Sequence, residues 1–95
     1  MKNLTNELQQ KVDKILSMEN YCDDFARTVE NKKTAKAFIE KMDADFAFVD
    51  FKEWIGAKKY EGQIKARYNN HVITFGIILR KTRGGVMAES FGYFV

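Results

Sequence analysis

The chain has 95 residues, 45% of them hydrophobic and 14% aromatic, with a formal net charge of +3. That length suits a single domain, 1–95, burying roughly 60–65% of its unfolded surface, and the composition lies outside the disordered range. No apolar run approaches the roughly 18 residues of a membrane span, and a lone cysteine, Cys22, excludes an internal disulfide framework.

In chain order, the polar start MKNLTNELQQ is read as helix rather than as a signal peptide with an apolar middle. Leu4, Leu8, Val12, Ile15 and Leu16 recur at helical spacing and predict a helix over about 4–18, with Asn3 as its N-cap. Asn20 offers a second cap, Asp23 and Asp24 suit the first turn that follows, and Tyr21, Phe25 and Val29 form the apolar stripe. Asn31 interrupts that pattern. Ala35, Phe38, Ile39 and Met42 then predict a third helix, either separate from the second or fused to it.

From Asp45 the period changes. ADFAFV reads as a strand. DFKEWIG is ambiguous: Asp50 and Glu53 have capping-box spacing and Gly56 suits a C-cap, so 50–56 reads either as strand or as a single helical turn. Beyond it Tyr60, Gly62, Ile64, Ala66 and Tyr68 alternate with Glu61, Gln63, Lys65 and Arg67. Asn69-Asn70 makes a two-residue turn in which positive φ at both positions is expected. That turn pairs Tyr68 with His71, Ala66 with Ile73, Ile64 with Phe75, Gly62 with Ile77 and Tyr60 with Leu79, so both apolar sets share one face. A second hairpin through KTRGG leads into the last strand, Val86 to Val95. The expected fold is α+β: three short N-terminal helices (1–43) packed on one face of a four-stranded antiparallel meander (44–95).

Few chemistries fit. His71, the one histidine, and Cys22 would be the thiolate pair of a nucleophilic site, but Asp23 and Asp24 flank the cysteine with negative charge, where a reactive thiolate needs an electropositive setting. One His and one Cys cannot hold zinc, and the run Asp43, Asp45, Asp50 encloses Phe46, Phe48 and Val49 instead of the polar spacing of a calcium loop. Those acids are read as solvated. Gly84-Gly85 opens a strand and is no phosphate loop. Neither catalysis, nor a metal, nor a cofactor is expected.

Two surfaces remain. Residues 1–43 are electrically balanced, whereas 44–95 carry the net charge. The expected register gathers Lys58, Lys59, Arg80, Lys81 and Arg83 at one end of the sheet, a basic end for an anionic partner. A four-residue loop, Thr82 to Gly85, would place Phe91, Tyr93 and Val95 on the sheet's outer face beside Val72, Thr74, Gly76 and Ile78. The other register would bury Glu89 against Ile77, which is costly without a partner. Cover from the Phe51-Trp54-Ile55 segment is the ordinary alternative for that stripe. The reading is a cytoplasmic, non-enzymatic protein-binding module for a partner with an acidic surface, of the kind a phage or mobile element uses to inhibit a host nucleic-acid-handling protein. The outer face would also serve a homodimer. The alternative is a weak nucleic-acid binder that uses the basic end, with Tyr68 or the outer aromatics as stacking surfaces.

Overall fold

The computed structural model describes residues 6–18 and 20–94. It has three helices, α1 (Asn6–Leu16), α2 (Tyr21–Thr28) and α3 (Lys32–Met42), then four strands, β1 (Ala47–Ile55), β2 (Lys59–Tyr68), β3 (His71–Thr82) and β4 (Gly85–Phe94). The class is α+β, and the strands form one antiparallel sheet in the order β1-β2-β3-β4. The expected Asn3 cap, Leu4 and Val95 lie outside the described residues. No helix among the described residues is long and apolar enough to cross a membrane.

Each helix buries the stripe its spacing predicts: Leu8, Val12 and Ile15 from α1, Tyr21 and Phe25 from α2, Ala35, Phe38 and Ile39 from α3. They share a core with Ile64, Ala66, Tyr68, Ile73, Phe75, Ile77 and Leu79 of β2 and β3, which defines the core-side face of the sheet. Asn20 precedes α2 but makes no side-chain cap. Asn31 does cap α3: its Oδ1 accepts from the Thr34 amide at 3.0 Å, and the Thr34 hydroxyl accepts from the Asn31 amide at 2.9 Å. Such a reciprocal cap, worth about 1 kcal/mol, is why α2 and α3 remain two helices.

Of the two readings of DFKEWIG the strand holds: β1 runs through it to Ile55 without a helical turn. A β-bulge at Val49 explains the misleading spacing: Phe48 pairs with Ala66 and Phe51 with Ile64, so two residues three apart both pack on the core. Asp50 caps no helix: its Oδ1 accepts from the Phe51 amide at 2.8 Å and forms an ion pair with Lys32 at 3.3 Å.

The β2–β3 register is the expected one from Tyr68↔His71 to Tyr60↔Leu79. Its turn differs in one respect: Asn69 has φ 53°, while Asn70 is not in the positive region. Strain from a branched side chain should therefore fall on one position. Asn69→Val is expected to cost about 1–3 kcal/mol in urea unfolding, and Asn70→Val much less; equal losses would contradict the turn geometry.

β4 departs most from expectation. The β3–β4 turn holds two residues, Arg83 and Gly84, closing with Thr82↔Gly85 and with Gly85 at φ 128°. The strand starts in the expected register, with Val86 opposite Lys81 and Ala88 opposite Leu79, then inserts a bulge at Glu89, so Ser90 and not Glu89 pairs with Ile78. The extra residue turns the remaining side chains over. Phe91 pairs with Ile77 and Tyr93 with Phe75, on the core side and not on the outer face. The Phe91 ring lies 5.9 Å from that of Tyr21, and the Tyr93 hydroxyl donates to Gln9 Oε1 at 3.0 Å. Glu89 is not buried: it reaches Lys59 at 3.2 Å and Arg80 at 3.9 Å.

Candidate functional site

At the end opposite the Asn69-Asn70 turn, β1 and β2 join through Gly56-Ala57-Lys58, and β3 and β4 join through Arg83-Gly84. The turns are tied by backbone bonds from the Gly56 amide to the Lys59 carbonyl at 2.7 Å and from the Lys81 amide to the Lys58 carbonyl at 2.9 Å. This distal end displays Trp54, Ile55, Val86 and Met87, all between 54% and 62% exposed. Pairing places Ile55 and Val86 on the core-side face, opposite Tyr60 and Lys81, and Trp54 and Met87 on the far face, opposite Glu61 and Arg80.

The five expected cations do converge here. Lys59↔Arg80 is a cross-strand pair, Lys81 pairs with Val86, and Lys58 and Arg83 occupy the two turns. They are not free of acid, since the Glu89 bulge brings a carboxylate to Lys59 and Arg80. Lys58, Lys81 and Arg83 make no ion pair among the described residues.

Between the distal end and α2 lies a cleft of about 410 Å³. Ile55, Tyr60, Leu79, Val86 and Ala26 supply apolar lining, and Asp23, Arg27 and Lys81 stand at its margin. Tyr60 presents its ring there while its hydroxyl is buried without a partner among the described residues. Burial first, and then Glu53, push its pKa up to about 12, so it stays a neutral wall. The lining thus offers apolar contact and positive charge rather than acid-base chemistry.

The expected outer stripe is not one surface. Val72 and Ile78 lie on the far face, with Val72 37% exposed, Ile78 half-buried and Thr74 buried between them. Phe91 and Tyr93 lie on the opposite side of the sheet. The Phe51-Trp54-Ile55 segment does not cover the far face as a unit: Phe51 packs on the core, and the Trp54 indole lies across Gly56, where an added Cβ would meet its ring. On the far face a hollow of about 260 Å³ over the paired Gly76 and Gly92 is bordered by Glu61 and Gln63, without a cation.

Cys22 and His71 are not joined by any hydrogen bond among the described residues. Burial, with Asp23 secondary, pushes the Cys22 thiol up, away from thiolate. Tyr68, expected as a stacking surface, is buried: Lys11 Nζ lies 5.5 Å from its ring centroid, Phe46 packs on it at 5.5 Å, and its hydroxyl donates to Glu7 at 2.7 Å. Asp43 and Asp45, read as solvated acids, hold Lys11 at 3.2 and 2.6 Å. They tie α1 to the start of the sheet.

Sequence reasoning missed the cleft and its lining residues, Ile55, Tyr60 and Val86. The signal that could have found it was the adjacency of Trp54 and Ile55, consecutive residues that must face opposite sides of one strand beside a lysine-rich turn. Comparison with protein-family models, with curated proteins and with solved structures finds no match to this chain.

Proposed function

We propose that this chain is a small non-enzymatic module that docks on another protein through the distal end of its sheet. In this reading the helices cover one face of a four-stranded meander and leave its end as the working surface. The observation that supports it is the coincidence, at one end, of four largely exposed apolar side chains with five cations. Exposed apolar side chains rimmed by charge are the composition of a protein interface. Occupying an acidic surface would block whatever the partner binds there, which is how a module without chemistry of its own can inhibit. A cytoplasmic host protein that handles nucleic acid is the proposed target, since such proteins carry surfaces built to exchange with an anionic polymer.

The test reverses Lys58, Lys81 and Arg83 to Glu and leaves Lys59 and Arg80 with Glu89. Melting temperature should hardly change, because exposed charges at turns contribute about 0–1 kcal/mol each. Affinity for a partner captured by crosslinking should fall at least about tenfold, mostly through slower association. If the partner were nucleic acid, bare oligonucleotides would bind the parent at micromolar concentration at about 0.15 M salt, with a log–log salt slope near −0.9 per phosphate contacted on duplex. That result, abolished by the reversal, would replace this reading with the nucleic-acid one. An unchanged protein interaction in the reversed variant would remove the distal end from function.

A further inference from the structure

The cleft at the distal end carries the proposed function to a partner chemistry, and the inference rests on that reading. Its two faces differ in kind. Trp54 and Met87 sit on the far face beside Lys59, Arg80 and Glu89, where the charges are already matched. Ile55 and Val86 sit on the core-side face, where the cleft floor is Tyr60 and Leu79 and the margin holds Lys81 and Arg27 against one acid, Asp23. The apolar lining is aliphatic apart from Tyr60, and so suits a protein side chain better than a stacked base, which needs aromatic faces.

A second copy of this chain is disfavoured as the occupant. Two-fold docking places a surface against its own equivalent, and here that would bring Lys58, Lys81 and Arg83 against the same cations. Charge complementarity requires the opposite sign. At about 410 Å³, the cleft lies within the roughly 300–1,000 Å³ range of sites that take a compact apolar group. We infer that it receives an apolar side chain flanked by carboxylates, supplied by an acidic segment of the partner protein. The apolar group would seat on Leu79 and Tyr60 between Ile55 and Val86, and the flanking carboxylates would meet Lys81, Arg27 and the turn cations Lys58 and Arg83. The geometry is that of a buried anchor with a charged rim, in which the anchor dominates affinity and the rim sets sign preference.

The probe is a synthetic hexapeptide with a leucine-phenylalanine centre and aspartates on both sides, titrated into the ¹⁵N-labelled full chain. Amide shifts should concentrate at Ile55, Tyr60, Leu79, Lys81 and Val86. Exchanging the aspartates for lysines, or the centre for two alanines, should each weaken binding by about tenfold or more. Val86→Asp should do the same, while Val72→Asp, on the far face and away from the distal end, should leave binding unchanged. Both substitutions are at exposed positions, so their folded spectra can be compared directly. Equal losses from Val86→Asp and Val72→Asp, or shifts scattered over the far face, would overturn the cleft as the seat. A peptide that fails to bind, while the Lys58, Lys81 and Arg83 reversal still abolishes capture of the protein partner, would overturn this partner chemistry and leave the docking function standing. Loss of the reversal effect itself would remove the docking function.

Discussion

Phe46→Ala is expected to destabilise the fold by about 3–5 kcal/mol, the usual cost of emptying a buried phenylalanine site. Phe46 lies in the turn before β1 and is 1% exposed. Its ring meets Phe75 edge-on at 5.5 Å and tilts against Tyr68 at the same distance. It therefore locks the junction between α3 and the sheet at the point where Lys11 grips Asp43 and Asp45. For a domain of this size, about 1 kcal/mol corresponds to roughly 4–8 °C in Tm, so a loss of about 12 °C or more should appear in a thermal melt. The control is Trp54→Ala, a larger aromatic lost from an exposed site, for which a change within about 0.5 kcal/mol is expected. Similar losses in the two variants would show that burial does not separate core from docking surface as described.

Gly62→Ala is expected to be clearly destabilising, although it adds a single methyl group. Phe25 of α2 packs directly on the β2 backbone at this position. A Cβ there would stand 2.6 Å from Phe25 Cε1 and 2.8 Å from the Tyr60 hydroxyl oxygen, closer than side-chain atoms approach. Phe25 is fully buried and also touches Phe38 at 5.3 Å between ring centroids, so it has nowhere to retreat. Overpacking of this kind costs about 1–3 kcal/mol, against the small gain that alanine brings to a strand over glycine. Shortening the opposing ring should relieve it: in urea unfolding, Phe25→Leu should cost less in the Gly62→Ala background than in the parent. Additive losses would mean that the two sites do not meet.

The helices and the central hairpin were legible because periodicity decides them. Leu8, Val12 and Ile15 can share a surface only at 3.6 residues per turn, and a one-residue slip of β3 against β2 would expose Ile73, Phe75 and Ile77 together. The bulges at Val49 and Glu89 were not legible. Each inserts one residue into a period of two, so the alternation on either side is sound while the phase between the sides is lost. At Val49 the broken phase looked helical; at Glu89 it placed Phe91 and Tyr93 on the wrong side of the sheet. The start of β4 follows the expected loop register, with Val86 opposite Lys81; what alternation could not show is that Glu89 then loops out to Lys59 and Arg80, which turns Phe91 and Tyr93 inward without burying that carboxylate. The basic end followed from hairpin register alone. The cleft beside it depends on where α2 stops along the sheet, a distance that no local pattern encodes.

The Glu89 bulge also bears on how this sequence can change over generations. Losing one codon within a strand ordinarily inverts every side chain beyond the deletion and is lethal to a fold with one buried face. β4 carries one residue more than its partner segment on β3 uses. A deletion at Glu89 would therefore close the ladder into regular pairing, with Ala88 still opposite Leu79, Ser90 opposite Ile78, and Phe91 and Tyr93 still turned toward Tyr21 and Gln9. What disappears is the carboxylate shared by Lys59 and Arg80. The same single event that spares the architecture adds one unit of uncompensated positive charge to the distal end, so, in the proposed function, gene-length drift at this codon would alter the strength of partner binding without passing through an unfolded ancestor.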